Sequence, residues 1–213
     1  MSGFISSTGT IASLGSRART DPELTGACVS GALFSTVATV ILLAIVVAAV
    51  HAPALEVLGP SLAASLVAIA AATALSIWFQ RGKTVPERTP GRPFNLLQAI
   101  GFAAILAGVT AGMGLIDNAY GSAGASIAAG LAGVFDVHAA TASAVSLVAK
   151  GTLDPHAVIL PVLIAFSTNT GSKLVAAFVS GGARYGMAVG AGLVAVAAAA
   201  WSPLLWERLS LSP

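Results

Sequence analysis

Apolar residues run along this chain in long blocks with short polar punctuation, not in the two-residue alternation of a half-buried strand. Five blocks reach about the 20 residues a helix needs to cross a bilayer: Thr25–Val50, Pro60–Phe79, Asn95–Ile116, Ser122–Ala149 and His156–Gly181. Tyr185–Trp206 follows closely as a sixth. Met1–Leu14 is shorter and interleaved with Ser, Thr and Gly. The pattern predicts an all-α, polytopic integral membrane helix bundle: six transmembrane helices plus a short N-terminal helix, for which a re-entrant path is open. Breakers mark the ends. Asp21-Pro22 and Asp154-Pro155 each read as an N-cap with Pro in the first helical turn. His51-Ala-Pro53 and Gly59-Pro60 bracket a short turn, and Pro86, Pro90, Gly91 and Pro93 interrupt the one long polar loop, 81–93.

Composition makes the membrane reading hard to avoid. Of 213 residues, 56% are hydrophobic and 8% charged, with a mean hydropathy of +0.91, whereas a soluble domain carries roughly 25% charged residues. So little charge cannot cover a water-soluble globule, and residues 1–213 read as a single membrane domain. A lone cysteine, Cys28, excludes a disulfide framework. Ten basic and eight acidic residues without a dense basic block leave no footprint for nucleic acid. Met1–Leu14 lacks the basic and apolar regions of a cleavable signal peptide.

The basic residues set an expected orientation. With loop 81–93 in the cytoplasm and six spans alternating, Arg17, Arg19, Lys150 and Arg208 join Arg81, Lys83, Arg88 and Arg92 inside. Arg184 then stands alone outside, and the C-terminus is cytoplasmic. Trp78 and Trp206 fall near the inner boundary, Tyr120 and Tyr185 near the outer one.

The chain also echoes itself. Phe34-Ser35-Thr36 recurs as Phe166-Ser167-Thr168, and Asp21-Pro22 as Asp154-Pro155. Gly3-Phe-Ile-Ser-Ser-Thr resembles Gly133-Val-Phe-Asp-Val-His, and Ala12-Ser13 matches Ala142-Ser143. An incomplete copy over 1–116 and a fuller one over 122–206 follow, and the alternation of six spans makes them parallel rather than inverted. The first copy opens in the middle of its counterpart, so a longer protein, self-association or a membrane-protein partner is expected to complete it.

Four stretches carry a resemblance: Gly133-Val-Phe-Asp136-Val-His138-Ala-Ala-Thr141-Ala-Ser143, Gly3-Phe-Ile-Ser6-Ser7-Thr8, Arg92-Pro93-Phe94-Asn95-Leu96 and Asn169-Thr170-Gly171-Ser172-Lys173. Together they resemble the C-terminal membrane domain of unknown function attached to MgtC/SapB-type bacterial membrane proteins. The resemblance implies a multi-pass protein of the bacterial inner membrane. It implies no agreed activity, and the MgtC-like N-terminal domain usual in such proteins is missing here.

Ionisable side chains in mid-membrane cost about 2.5–3.5 kcal/mol on insertion scales and call for a reason. Asp136 and His138 lie near the middle of Ser122–Ala149; Asn169 and Lys173, one helical turn apart, lie near the middle of His156–Gly181. Thr141 continues the His138 face and Ser143 the Asp136 face, so the candidate binding set is Asp136, His138, Thr141, Ser143, Asn169 and Lys173. Residues i and i+2 point about 200° apart on a regular helix, so Asp136 and His138 share a site only if the helix breaks, with Gly130–Gly133 as the expected place. Lys173 is expected either to pair with Asp136, structurally or functionally, or to bind an anion directly. The first repeat lacks these charges: Asn169 aligns with Val37 and Lys173 with Ile41.

No spacing of His, Cys or carboxylates makes a metal site, and no nucleophile elbow or nucleotide fingerprint is present; no cofactor and no enzymatic activity on soluble substrates are expected. An intramembrane acid–base pair of Asp136 and His138 is the weakest option. The leading expectation is a transporter or permeation subunit for a small ion or polar solute. The alternative is a non-transporting scaffold or regulator that binds another membrane protein through small-residue faces, Gly108–Gly112 and Gly186–Gly190.

Overall fold

In a computed structural model of the chain, residues 7–80 and 129–210 are described, and every regular element among them is helical. Helix α1 (Ser7–Thr20) leads through a 3-10 turn (Pro22–Leu24) into α2 (Thr25–His51), which turns at Ala52-Pro53 into α3 (Ala54–Trp78). A helical stretch at 129–135 stops at Asp136, and α4 (Val137–Ala149) follows. A second 3-10 turn (His156–Val158) opens α5 (Ile159–Ser210). The expected Asn95–Ile116 span, loop 81–93, Gly108–Gly112 and Tyr120 lie outside the described residues. Helix α3 begins at Ala54 and takes Pro60 into its interior. Pro60 lacks only one amide, and that near the helix start, where one lost bond is tolerated.

The 52 residues of α5 are two helices, not one. Trp201 Nε1 donates to Ser167 Oγ at 2.9 Å across 34 residues, which a straight helix would hold about 51 Å apart. The reversal falls at Gly182, with φ 74° and ψ −175°, a conformation that favours a residue without Cβ. The first limb (159–181) and second limb (183–210) then close on each other, Gly186 against Phe178 and Gly190 against Leu174. This agrees with the two expected blocks His156–Gly181 and Tyr185–Trp206. Three helical stretches among the described residues, Pro22–His51, Ala54–Trp78 and His156–Glu207, are long and apolar enough to cross a membrane.

Contacts along α2 fix the direction of its neighbours. Near its start, Gly26 meets Gln80 and Ser30 meets Ser76, so α3 runs antiparallel to it. Leu14 of α1 packs on Gly31, while Gly15 packs on Gly181 at the α5 reversal. Farther along, Leu43 shares a small apolar cavity with Val162, Leu163, Phe166 and Ala200, and Gly192 meets Leu33. From Leu43 back towards Gly31 the first limb therefore runs from Val162 to Gly181, antiparallel to α2, and the second limb runs parallel to α2.

This corrects the expected alternation. Arg184 shares the end of the bundle that holds Arg17 and Arg19, whereas the C-terminal end of α5 lies with His51. Trp78 and Trp206 fall at opposite ends. Part of the block expected as one span, Ser122–Ala149, is interrupted at Asp136: α4 is a half-length helix, 13 residues or about 20 Å.

The bundle is apolar outside and dotted with polar groups inside. Phe34, Ile45, Val67, Phe79, Val179 and Trp206 are exposed, while Thr36, Thr39, Ser61, Ser65, Thr73, Thr170 and Lys173 are buried. Most of these hydroxyls bond back to a carbonyl one turn earlier, as Ser65 does to Ser61 and Thr73 to Ile69. Such an arrangement suits a hydrocarbon solvent, where every buried polar group needs an internal partner. Tyr185, expected at an outer interface, is instead 1% exposed. Its hydroxyl donates to the Ile11 carbonyl at 2.9 Å and ties α1 to the α5 reversal. Tyr185→Phe is expected to lower stability by about 0.5–1.5 kcal/mol through loss of that bond, the Ile11 carbonyl keeping its helical partner within α1; thermal unfolding in detergent measures it, and an unchanged midpoint would remove the bond from the account.

Candidate functional site

The helical stretch 129–135 gives way at Asp136. Its backbone is extended (φ −149°, ψ 101°) and its carboxylate caps α4, accepting from the backbone N–H groups of His138 and Ala139 at 2.9 and 3.3 Å. A short acidic side chain in extended conformation before a helix is the ordinary N-cap arrangement, and the carboxylate faces the positive end of the helix dipole. The expected break is thus present but three residues beyond Gly133. Gly130 and Gly133 belong to the helical stretch before it and serve close packing. A Cβ on Gly133 would overlap the Ala165 backbone and lie 2.6 Å from Thr168 Oγ1, and one on Gly130 would meet Ile164 at 2.9 Å.

The break also resolves the geometric difficulty of residues two apart. His138 folds back so that Nδ1 lies 3.3 Å from Asp136 Oδ1, while Nε2 reaches the Thr39 carbonyl on α2, also at 3.3 Å. Both ring nitrogens thus face acceptors, and a neutral ring can donate to only one of them. Asp136 and His138 remain partly exposed, 41% and 26% by side chain.

Thr39 is the residue that sequence reasoning missed. It stands near the middle of α2, 14 residues after Thr25 and 12 before His51. Its hydroxyl donates to the Ser35 carbonyl at 3.1 Å and accepts from Lys173 Nζ at 3.1 Å. One residue therefore touches the α4 break through its carbonyl and the first limb of α5 through its hydroxyl. Ser35, a turn earlier, meets Ser7 at the start of α1, with 3.3 Å between hydroxyl oxygens. The N-terminal ends of both half-length helices, α1 and α4, are thereby brought to the Ser35–Thr39 turn. A threonine among α2's apolar residues gives no sequence signal of this; its alignment partners in the second copy are not the site residues, and only the helix crossing selects it.

Lys173 is 2% exposed. Its partner is the Thr39 hydroxyl, and among the described residues it forms no ion pair. The expected Asp136–Lys173 pair is therefore not made: the Asp136 carboxylate is turned into the α4 N-terminus and His138. Asn169, one turn before Lys173, is 5% exposed; its backbone carbonyl accepts from Ser172, while its side-chain amide has no hydrogen-bond partner among the described residues. Thr141 is fully buried with its Oγ1 likewise unpartnered. Ser143 is exposed on α4 and is not drawn into this cluster. Among the described residues no group of His, Cys, Asp or Glu is placed to hold a metal ion.

Of the six sequence candidates, then, Asp136, His138 and Lys173 are linked through Thr39, Asn169 lies one turn from Lys173, and Thr141 is buried nearby in sequence on α4. Against known proteins, a family model described as a domain of unknown function (DUF4010) matches residues 1–181. No curated protein and no solved structure matches the chain.

Proposed function

We propose, for a chain that belongs to the DUF4010 family, a domain of unknown function, that it is a membrane transporter or permeation subunit whose solute passes the Thr39 crossing. The observation that carries the reading is one junction: a helix break capped by Asp136, a buried ammonium and a mid-helix hydroxyl meet between apolar helices. Interrupted helices whose ends meet in the middle of a bundle are the usual way transporters offer backbone and side-chain groups to a solute within hydrocarbon. Asp136, His138, Thr141, Asn169 and Lys173 with Thr39 form the polar set, no cofactor or catalysis is involved, and Ser143 is peripheral to it.

The repeat belongs to the same proposal, in inverted form. Each copy holds a half-length helix, an Asp-Pro turn with a 3-10 turn, and two long helices: α1–α2–α3, and α4 with the two limbs of α5. The opposed directions of α2 and the first limb support inversion over the parallel relation. The end with Arg17, Arg19 and Arg184 is assigned to the cytoplasm of a bacterial inner membrane, since the sequence after Gln80 carries Arg81, Lys83, Arg88 and Arg92. The C-terminus then lies on the opposite face. Association with MgtC/SapB-type proteins, self-assembly and a membrane-protein partner also stay within the proposal.

A scaffold role draws less support, because Gly186 and Gly190 already face Phe178 and Leu174 of the same chain and present no free small-residue face. Purified protein in liposomes is expected to release trapped small ions or polar solutes faster than empty liposomes do, and Asp136→Asn, which keeps a cap but not the charge, to slow that release. Background release for every solute would turn the assignment to the scaffold; equal rates in the variant would move the path away from Asp136.

A further inference from the structure

We infer that the solute bound at this site is a small inorganic anion, held by Lys173 and Asn169. The inference rests on the transport reading above and names its substrate class. Lys173 is buried to 2% exposure at the middle of the bundle, and its ammonium gives one of three N–H donors to Thr39. A buried ammonium needs an opposite charge or a full set of acceptors, because transfer from water costs several kcal/mol. Among the described residues no carboxylate supplies that charge. Of the eight acidic residues, Asp21, Glu23, Glu56, Asp154 and Glu207 stand at helix ends or turns, and Glu87 and Asp117 lie in polar sequence outside the described residues. Among the described residues Asp136 reaches Lys173 only by way of His138 and Thr39, and its carboxylate accepts from two backbone N–H groups and faces His138 instead.

A second observation points the same way. Asn169 is 5% exposed, makes no side-chain hydrogen bond among the described residues, and stands at i−4 from Lys173, on its face. An amide offers two N–H donors. Among the described residues the ammonium has two N–H groups with no acceptor, and the amide one turn away offers two more beside its own carbonyl oxygen. With the ammonium's charge uncompensated there, the site favours an anion over a cation. A halide or nitrate, small and singly charged, is the simplest guest for one ammonium.

The test separates this inference from the transport reading. Thermal unfolding of the full chain in detergent is followed in sodium chloride, bromide and nitrate against sodium gluconate at equal ionic strength, and flux of the same anions is followed in liposomes. The expected result is a midpoint that rises with at least one small anion and is insensitive to it in Lys173→Met. That variant is expected to fold, because an apolar chain of similar length replaces an uncompensated charge. Asn169→Leu, which leaves the ammonium in place, is expected to weaken the response and serves if the methionine variant does not melt cooperatively. No anion-dependent rise, or one unchanged in both variants, overturns the anion site even when cations or neutral solutes still cross. A rise lost in the variants with no flux of any solute keeps the anion site and overturns transport.

Discussion

Gly133→Ala is expected to destabilise the protein by about 3 kcal/mol, the upper end of the usual overpacking range. The added methyl would overlap the Ala165 backbone. A side chain can rotate aside, but a helical backbone cannot, so the two elements must separate along their length. Separation also moves the next turn, where Asp136 begins α4, and so the His138 contact with Thr39. A fitting control is Gly171→Ala: Gly171 lies inside a helix with nothing within 4 Å of its would-be Cβ. Alanine there is expected to stabilise by about 0.5–1 kcal/mol through helix propensity. Thermal unfolding of both variants in detergent is the measurement. Similar midpoints for the two would show that the 129–135 stretch does not rest on α5 as described.

The second large effect is expected at Thr39. Valine has nearly the same shape but neither donates nor accepts, so Thr39→Val leaves the Lys173 ammonium buried without its hydroxyl partner. Hydrogen bonds to charged groups contribute about 1.5–3 kcal/mol, and the loss is expected to fall in that range. Lys173→Met is expected to be close to neutral or stabilising. In the Lys173→Met background the valine substitution then removes only the local bond to the Ser35 carbonyl, and its cost is expected to drop below about 1 kcal/mol. The difference between the two costs is the coupling energy of the contact. A valine penalty independent of Lys173 would mean that the 3.1 Å contact carries no energy and that the cluster is not built on Thr39.

How much of this was legible beforehand differs by element. Block length and hydropathy gave α2 and both limbs of α5 nearly to their boundaries, and α3 without its first six residues, because a helix in hydrocarbon must satisfy its own backbone and stay apolar along its length. The rarity of mid-span polar residues singled out Asp136, His138, Asn169 and Lys173 for the same reason. Proline after aspartate at positions 21 and 154 marked the two 3-10 entries. Tyr185 was placed at an interface because aromatic belts are the statistical habit of membrane proteins; its hydroxyl instead found a buried carbonyl on α1. Gly130 and Gly133 looked like helix breakers, yet their lack of Cβ serves close approach while aspartate supplies the break.

By itself, then, the sequence determined the solvent and the helices: an apolar, nearly uncharged chain can only bury itself in other helices and lipid, and its few internal charges are conspicuous. Only the tertiary structure decided that α4 is a half-length helix, that the first limb of α5 runs against α2, and that Thr39 stands between His138 and Lys173. Those are matters of direction and crossing. Hydrophobic blocks read the same forwards and backwards and carry no record of them.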